Sequence, residues 1–145
     1  MTPRSASGAL YTPEMLVLAV DLAAFPSDPD AGFHGAARST TCGGSIALDF
    51  SLAGDRVDSI GLLVSACAVG QASAALFARW AKGQPASGVL ASGYSVAAWL
   101  SGDPPPEAID LAPIAVARDY PARHGAILLP WRAFADALGK PDPAR

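Results

Sequence analysis

Apolar and polar residues alternate most cleanly between Ser45 and Leu52, where Ile46, Leu48, Phe50 and Leu52 fall on one face. A period of two is the signature of a half-buried strand. Ala53-Gly54-Asp55-Arg56 interrupts the pattern as a turn, and it resumes over Val57 to Val64 with Ile60, Leu62 and Val64 aligned. The pair predicts a β-hairpin. Elsewhere the spacing is helical. Thr12, Pro13 and Glu14 form a start signal: a capping hydroxyl, a proline at the first helical position and an acid near the positive helix end. Leu16, Val17, Val20 and Leu22 through Ala24 follow at near-helical spacing. This helix should stop before Phe25-Pro26, and the Pro- and Gly-rich run through Gly35 predicts a loop.

After Cys67 the period changes from two to that of a helix. Ala72, Ala75, Leu76, Arg79 and Trp80 mark a small-residue helix that Gly83 ends. A second helix is expected over Val89 to Leu100, stopped by Gly102 and three prolines. Glu107 to Ala117 holds a short helical or turn segment. A last amphipathic helix is expected over Ala126 to Leu138, with Ile127, Leu128, Trp131, Phe134 and Leu138 inward and Pro130 as start or kink. Trp80, Trp99 and Trp131 all sit among aliphatic residues, as core residues do. The order predicts an α+β fold: an antiparallel sheet of about three strands packed against helices that mostly follow it. One domain over residues 10–139 is expected, with residues 1–9 and 140–145 disordered.

Charge narrows the function. Ten Lys and Arg against thirteen Asp and Glu give a net charge of −3, and no cationic cluster offers a footprint for nucleic acid. No apolar run approaches the roughly 20 residues of a membrane span. The first ten residues lack the pattern of a signal peptide. A soluble cytoplasmic protein is expected.

The candidate chemistry lies in the two cysteines. Cys42 stands in T-T-C-G-G-S, just before the hairpin, and Cys67 where the hairpin gives way to a helix. A hairpin with one thiol at its entry and one at its exit can bring two sulfurs to one place. In a cytosolic chain such a pair more often serves metal or redox chemistry than a structural disulfide. At a helix start, Cys67 would stand where the helix dipole favours an anion. Gly43 and Gly44 permit positive φ or close approach beside the first thiol. His34 and His124 are the two histidines, and His34 has no assignable partner. Asp49, Asp55 and Asp58 fall in or beside the hairpin and are expected to be solvated. There is no C-x-x-C, G-x-S-x-G, H-E-x-x-H or phosphate loop. A Cys/His hydrolase would need Cys42 or Cys67 with His124, and no orienting partner is identifiable.

These landmarks occur in a recognisable order. A helix with Tyr11 and Glu14 precedes Cys42-Gly43-Gly44 and the hairpin. Cys67 opens a small-residue helix closed by Trp80-Ala81-Lys82-Gly83, and Pro121-Ala122-Arg123 precedes the last helix. The chain thus resembles the IscU/NifU-type iron–sulfur cluster scaffold family over residues 11–138. Its P-A-R-H-G-A-I-L-L-P-W segment is similar to the P-x-R-x-x-C-A-x-L-x-W motif of the SufU branch. The resemblance implies an IscU/SufU-like fold, no enzymatic activity, and transient binding of an iron–sulfur cluster or zinc. It implies a cysteine desulfurase and other assembly proteins as partners. Family members ligate with three cysteines and an aspartate, since soft thiolates suit Fe–S clusters and zinc.

Carried over, the first two cysteines fall on Cys42 and Cys67, and the aspartate falls on Gly44. The third cysteine falls on Gly125 or Ala126, depending on register. His124 is then a candidate third ligand, and Arg123 a candidate for the mouth of the site. Two thiolates do not fill a tetrahedral site. Three outcomes are therefore open: a scaffold completed from outside, by a dimer partner or a small thiol; a zinc-binding variant using Cys42, Cys67 and His124; or a degenerate homologue binding the assembly machinery with no cluster.

Overall fold

A computed structural model describes residues 10–143. The segments expected to be disordered at 1–9 and 144–145 lie outside the described residues. Helix α1 spans Pro13–Asp21, with a 3-10 turn at Leu22–Ala24. Strands β1 (Phe33–Arg38), β2 (Ser45–Ala53) and β3 (Arg56–Ser65) follow. Then come helix α2 (Ala68–Ala81), helix α3 (Ala86–Leu100), 3-10 segments at Ala112–Asp119 and Pro121–Arg123, and helix α4 (His124–Ala137). The strands form one antiparallel sheet in the order β1-β2-β3, and the expected α+β class holds.

The hairpin forms where the alternation placed it. Ala53 pairs with Arg56 across a two-residue turn, and Gly54 at φ 64 supplies the positive φ that such a tight turn needs. Ile46, Leu48, Phe50, Ile60 and Leu62 are buried on the inner face. A bulge between Ser51 and Leu52 shifts the register, and Val57 also turns inward. Helix α4 covers β1 and β2, α2 covers β3, α1 lies on α2, and α3 lies on α4. Aromatic rings bind the layers together: Phe33 stacks on Phe50 at 4.8 Å, Phe50 on Phe134 at 4.4 Å, and Phe77 meets Trp131 edge-on at 5.2 Å.

Several expectations are corrected. Phe33-His34-Gly35 is not loop but the start of β1, because pairing with β2 and packing under α4 outweigh weak local propensity. The helix after the cysteine helix begins at Ala86, following Pro85, and not at Val89. The last helix begins at His124 and carries Pro130 inside it. The segment expected as helix or turn over Glu107 to Ala117 forms as a turn at Glu107 and Ala108 and a 3-10 segment from Ala112. In α1 the buried residues are Met15 and Leu18, whereas Leu16, Val17 and Val20 are exposed; the inward stripe is one residue out of phase. Trp99 and Trp131 are buried, but Trp80 is only partly so and donates Nε1–H to the Ala108 carbonyl. The tail over 140–143 is held rather than loose. Arg132 pairs with Asp142 at 2.8 Å, and Pro143 lies within 3.3 Å of where a Cβ on Gly93 would stand.

The free edges of the sheet are blunted, as unpaired strand edges generally are. On β1, Asp136 accepts from Ala36 N–H at 3.0 Å, and Arg132 Nη1 donates to the Arg38 carbonyl at 2.9 Å. On β3, Leu62 N–H donates to the Phe25 carbonyl and Val57 N–H to the Gln84 carbonyl, both at 2.9 Å.

Candidate functional site

Both cysteines lie at the end of the sheet marked by the Arg38, Ser45 and Ser65 register. A tight turn from Ser39 to Gly44 joins β1 to β2. Ser39 N–H donates to the Gly44 carbonyl at 2.8 Å, and Gly43 N–H returns to the Ser39 carbonyl at 3.0 Å. Gly43 takes φ 71, a backbone state that side chains disfavour. This closure presents Cys42 at the tip, partly buried and free. Ser39 is 2 % exposed and its hydroxyl bonds Thr41 Oγ1 at 3.1 Å. Sequence reasoning missed Ser39, although Ser and Thr just before a turn commonly satisfy their own backbone in this way.

Cys67 is the N-cap residue of α2. Its backbone is extended, its carbonyl accepts from Gln71 N–H at 3.0 Å, and its thiol makes no capping bond. Gln71 Nε2 donates to the Ala66 carbonyl at 2.9 Å, which ties the approach to Cys67 onto the first turn of the helix. Cys67 is partly buried and free.

The positions expected to carry the missing ligands converge here. A Cβ on Gly44 would lie 3.2 Å from Ala66 Cβ and 3.4 Å from Leu129 Cδ1. A Cβ on Gly70 would lie 2.7 Å from Ala66 Cβ and 3.5 Å from Ala126 Cβ. A Cβ on Gly125 would run into Ser39 Oγ and stand 3.1 Å from Thr41 Oγ1. Gly44, Ala66, Gly70, Gly125 and Ala126 therefore form one close-packed floor between the sheet end, the start of α2 and the start of α4. Ala126 is fully buried. The floor has small side chains and no side-chain donor atoms at the positions where the resemblance implies carboxylate and thiolate.

His124 opens α4 but its ring is engaged: Nε2–H donates to the Arg118 carbonyl at 2.6 Å, toward the 3-10 segment. Among the described residues no three His, Cys, Asp or Glu side chains stand together as a metal group. The donor set near the floor is thus two thiols, half of what a tetrahedral metal or a [2Fe–2S] cluster takes from protein. Arg123 precedes His124, and its guanidinium has no hydrogen-bond partner among the described residues. His34 is exposed and donates from Nε2 to the Ala31 carbonyl at 2.8 Å.

Asp55 and Asp58 are exposed as expected, but Asp49 is not: it is 4 % exposed. The loop after α1 folds over the outer face of the sheet at this point. Asp49 Oδ2 accepts from Ser27 Oγ and from Asp28 N–H, both at 3.0 Å. Its role is to anchor that loop at the middle of β2, away from the turn that carries Cys42.

Taken together, the geometry defines a small α+β protein whose two thiols share one sheet end beside two helix starts. Comparison of solved structures finds the same architecture in the N-terminal part of a nitrogen-fixing NifU-like protein from Brucella abortus. The TM-score is 0.83 at 27% identity, over 93% of this chain and 96% of that one. A provisionally assigned iron–sulfur cluster assembly scaffold protein for the SUF system from Fervidobacterium islandicum AW-1 matches at a TM-score of 0.81. At 22% identity over 92% and 99% of the two chains, it bears on the fold alone. No sequence-family description and no curated protein matches the chain. The fold is thus one that NifU-like and SufU structures share, and Gly44 and Gly125-Ala126 stand where the resemblance implies ligands. No described helix is long and apolar enough to cross a membrane.

Proposed function

We propose that the chain is a non-enzymatic scaffold-like protein of iron–sulfur cluster assembly, acting in the cytoplasm through Cys42 and Cys67. The observation that carries this reading is the meeting of the family's ligand positions on one floor, with a free thiol on the turn before β2 and another at the cap of α2. Its cargo is sulfur from a cysteine desulfurase, together with iron. In the sulfur step a thiolate of this chain attacks the outer sulfur of the desulfurase persulfide. The new S–S bond takes the thiolate's electron pair, and the old S–S bond breaks to release the desulfurase thiolate. Sulfane sulfur moves without net oxidation, so two thiols suffice for it.

A second reading has its own support. The floor is packed with Gly and Ala, and Ala126 is fully buried. A homologue that has closed its cluster site would act as a binding module for the assembly machinery.

Intact-mass analysis after incubation with a cysteine desulfurase and L-cysteine separates the two. Gain of one sulfur atom by the native chain, reduced in Cys67→Ser, supports the scaffold reading. Unchanged uptake in Cys67→Ser sinks it, and no uptake by the native chain favours the module.

A further inference from the structure

We propose that Arg132 is a positioning residue for the Cys42 thiol, acting through the Arg38–Ser39 peptide and itself held by the C-terminal tail. The inference rests on the scaffold reading, in which Cys42 carries cargo. The peptide between Arg38 and Ser39 closes β1 and opens the cysteine turn. In a trans peptide the carbonyl and the N–H point opposite ways, and here both are held. On one side Arg132 Nη1 donates to the Arg38 carbonyl at 2.9 Å. On the other, Ser39 N–H donates to the Gly44 carbonyl at 2.8 Å. Because the peptide unit is planar, the two bonds fix its orientation, and with it the direction in which Ser39 leaves the strand.

Ser39 then carries the turn. Its carbonyl accepts from Gly43 N–H at 3.0 Å, and its hydroxyl accepts from Cys42 N–H at 3.5 Å. The hydroxyl lies against Gly125, where a Cβ would collide with it, so Ser39 has no room to swing toward α4. One peptide unit and one side chain therefore separate Arg132 from Cys42.

Arg132 is fixed from its far side as well. Gly139 takes φ 66, and its N–H and that of Lys140 return to the Asp136 and Ala135 carbonyls at 3.0 and 2.9 Å. This pair of bonds is the one that reverses a chain at a helix end, and it brings the tail back against α3 and α4. Tyr94 Oη–H donates to the Pro141 carbonyl at 3.3 Å, and Pro143 is buried beside Gly93. Between them Asp142 Oδ2 accepts from Arg132 Nε at 2.8 Å. A guanidinium is a rigid planar fork, so an Nε bound to the tail aims Nη1 at β1.

The test uses the Cys67→Ser chain, in which Cys42 is the one remaining thiol. It reads the rate of Cys42 alkylation by iodoacetamide under native conditions and the hydrogen exchange of the Ser39 and Gly43 amides. Arg132→Met keeps the aliphatic stem and removes both bonds. The expected result is about tenfold faster exchange at the two amides, the size of losing a hydrogen bond to a charged group. A severalfold faster alkylation accompanies it, because a released turn exposes the partly buried thiol. Arg132→Lys, which can reach the Arg38 carbonyl but not both partners at once, is expected to recover part of the native rates. Asp142→Asn is expected to move both readouts in the Arg132→Met direction by less, and it decides the matter if Arg132→Met does not fold. Asp136→Ala is the control: it strips the acceptor of Ala36 N–H from the same strand edge and should leave Cys42 kinetics unchanged. A lower urea midpoint for Arg132→Met with Cys42 alkylation and exchange unchanged overturns the proposal, since Arg132 would then be a structural contact only. Equal acceleration in Asp136→Ala overturns it too. No desulfurase enters this experiment, so loss of the positioning role here and loss of the scaffold reading in the sulfur-uptake assay are separate results.

Discussion

Replacing Gly35 with alanine puts a methyl group where β1 passes directly beneath α4. The added Cβ would run into the Ala133 carbonyl oxygen, and it would stand 2.6 Å from Ala137 N and 2.8 Å from Ala137 Cβ. Two of these three atoms are helix backbone, which no rotamer change can move aside. Overfilling a packed interface costs about 1–3 kcal/mol, and backbone obstruction places this site toward the upper end. Alanine recovers about 0.4–1 kcal/mol by restricting the unfolded chain. The net expectation is a loss of about 2 kcal/mol, which at a urea slope of about 1–3 kcal/mol/M lowers the midpoint by about 1 M. Gly32→Ala is the control, because nothing lies within 4 Å of its Cβ; it carries the chain-entropy gain without the clash. Urea unfolding followed by tryptophan fluorescence reads both variants. A Gly35→Ala midpoint equal to that of Gly32→Ala would refute the claim that this glycine sets the spacing of β1 and α4.

Two further outcomes follow from buried polar atoms. Asp49→Ala leaves the Ser27 hydroxyl and Asp28 N–H without their acceptor; it should cost about 1–3 kcal/mol and raise amide exchange over residues 25–31, and unchanged exchange there would contradict the anchoring role. Ser92 Oγ accepts from Trp131 Nε1 at 2.8 Å in the core. Ser92→Ala should therefore cost about 1–3 kcal/mol, with much of the loss absent when Trp131→Phe is already in place, and strict additivity of the pair would argue against the bond.

The hairpin was legible because a half-buried strand advertises itself by alternation, and β2 and β3 have one face on the helices. β1 was not, since Gly35, Ala36 and Ala37 carry little apolar contrast; its place comes from pairing with β2 and from the close approach of α4. Asp49 fitted the polar phase of the alternation and so looked solvated. Its burial depends on a loop some twenty residues away in sequence, which no local pattern encodes. In α1 the apolar residues surround most of the helix, so periodicity could not tell Met15 and Leu18 from Leu16 and Val17. At the site, the order of Cys42, Cys67 and the last-helix motif was readable along the chain. The closure of the floor was not, because it depends on Ser39, Ala66 and Leu129 filling space beside glycines far from them in sequence.

The central claim is that Cys42 and Cys67 together hold the cargo of iron–sulfur assembly. Iron and acid-labile sulfide per chain, measured after anaerobic reconstitution of the native protein and of the Cys42→Ser, Cys67→Ser double variant, test it most directly. A stoichiometric cluster in the native protein, absent from the variant, is the predicted result. Equal iron and sulfide in both proteins, or none in either, would contradict it.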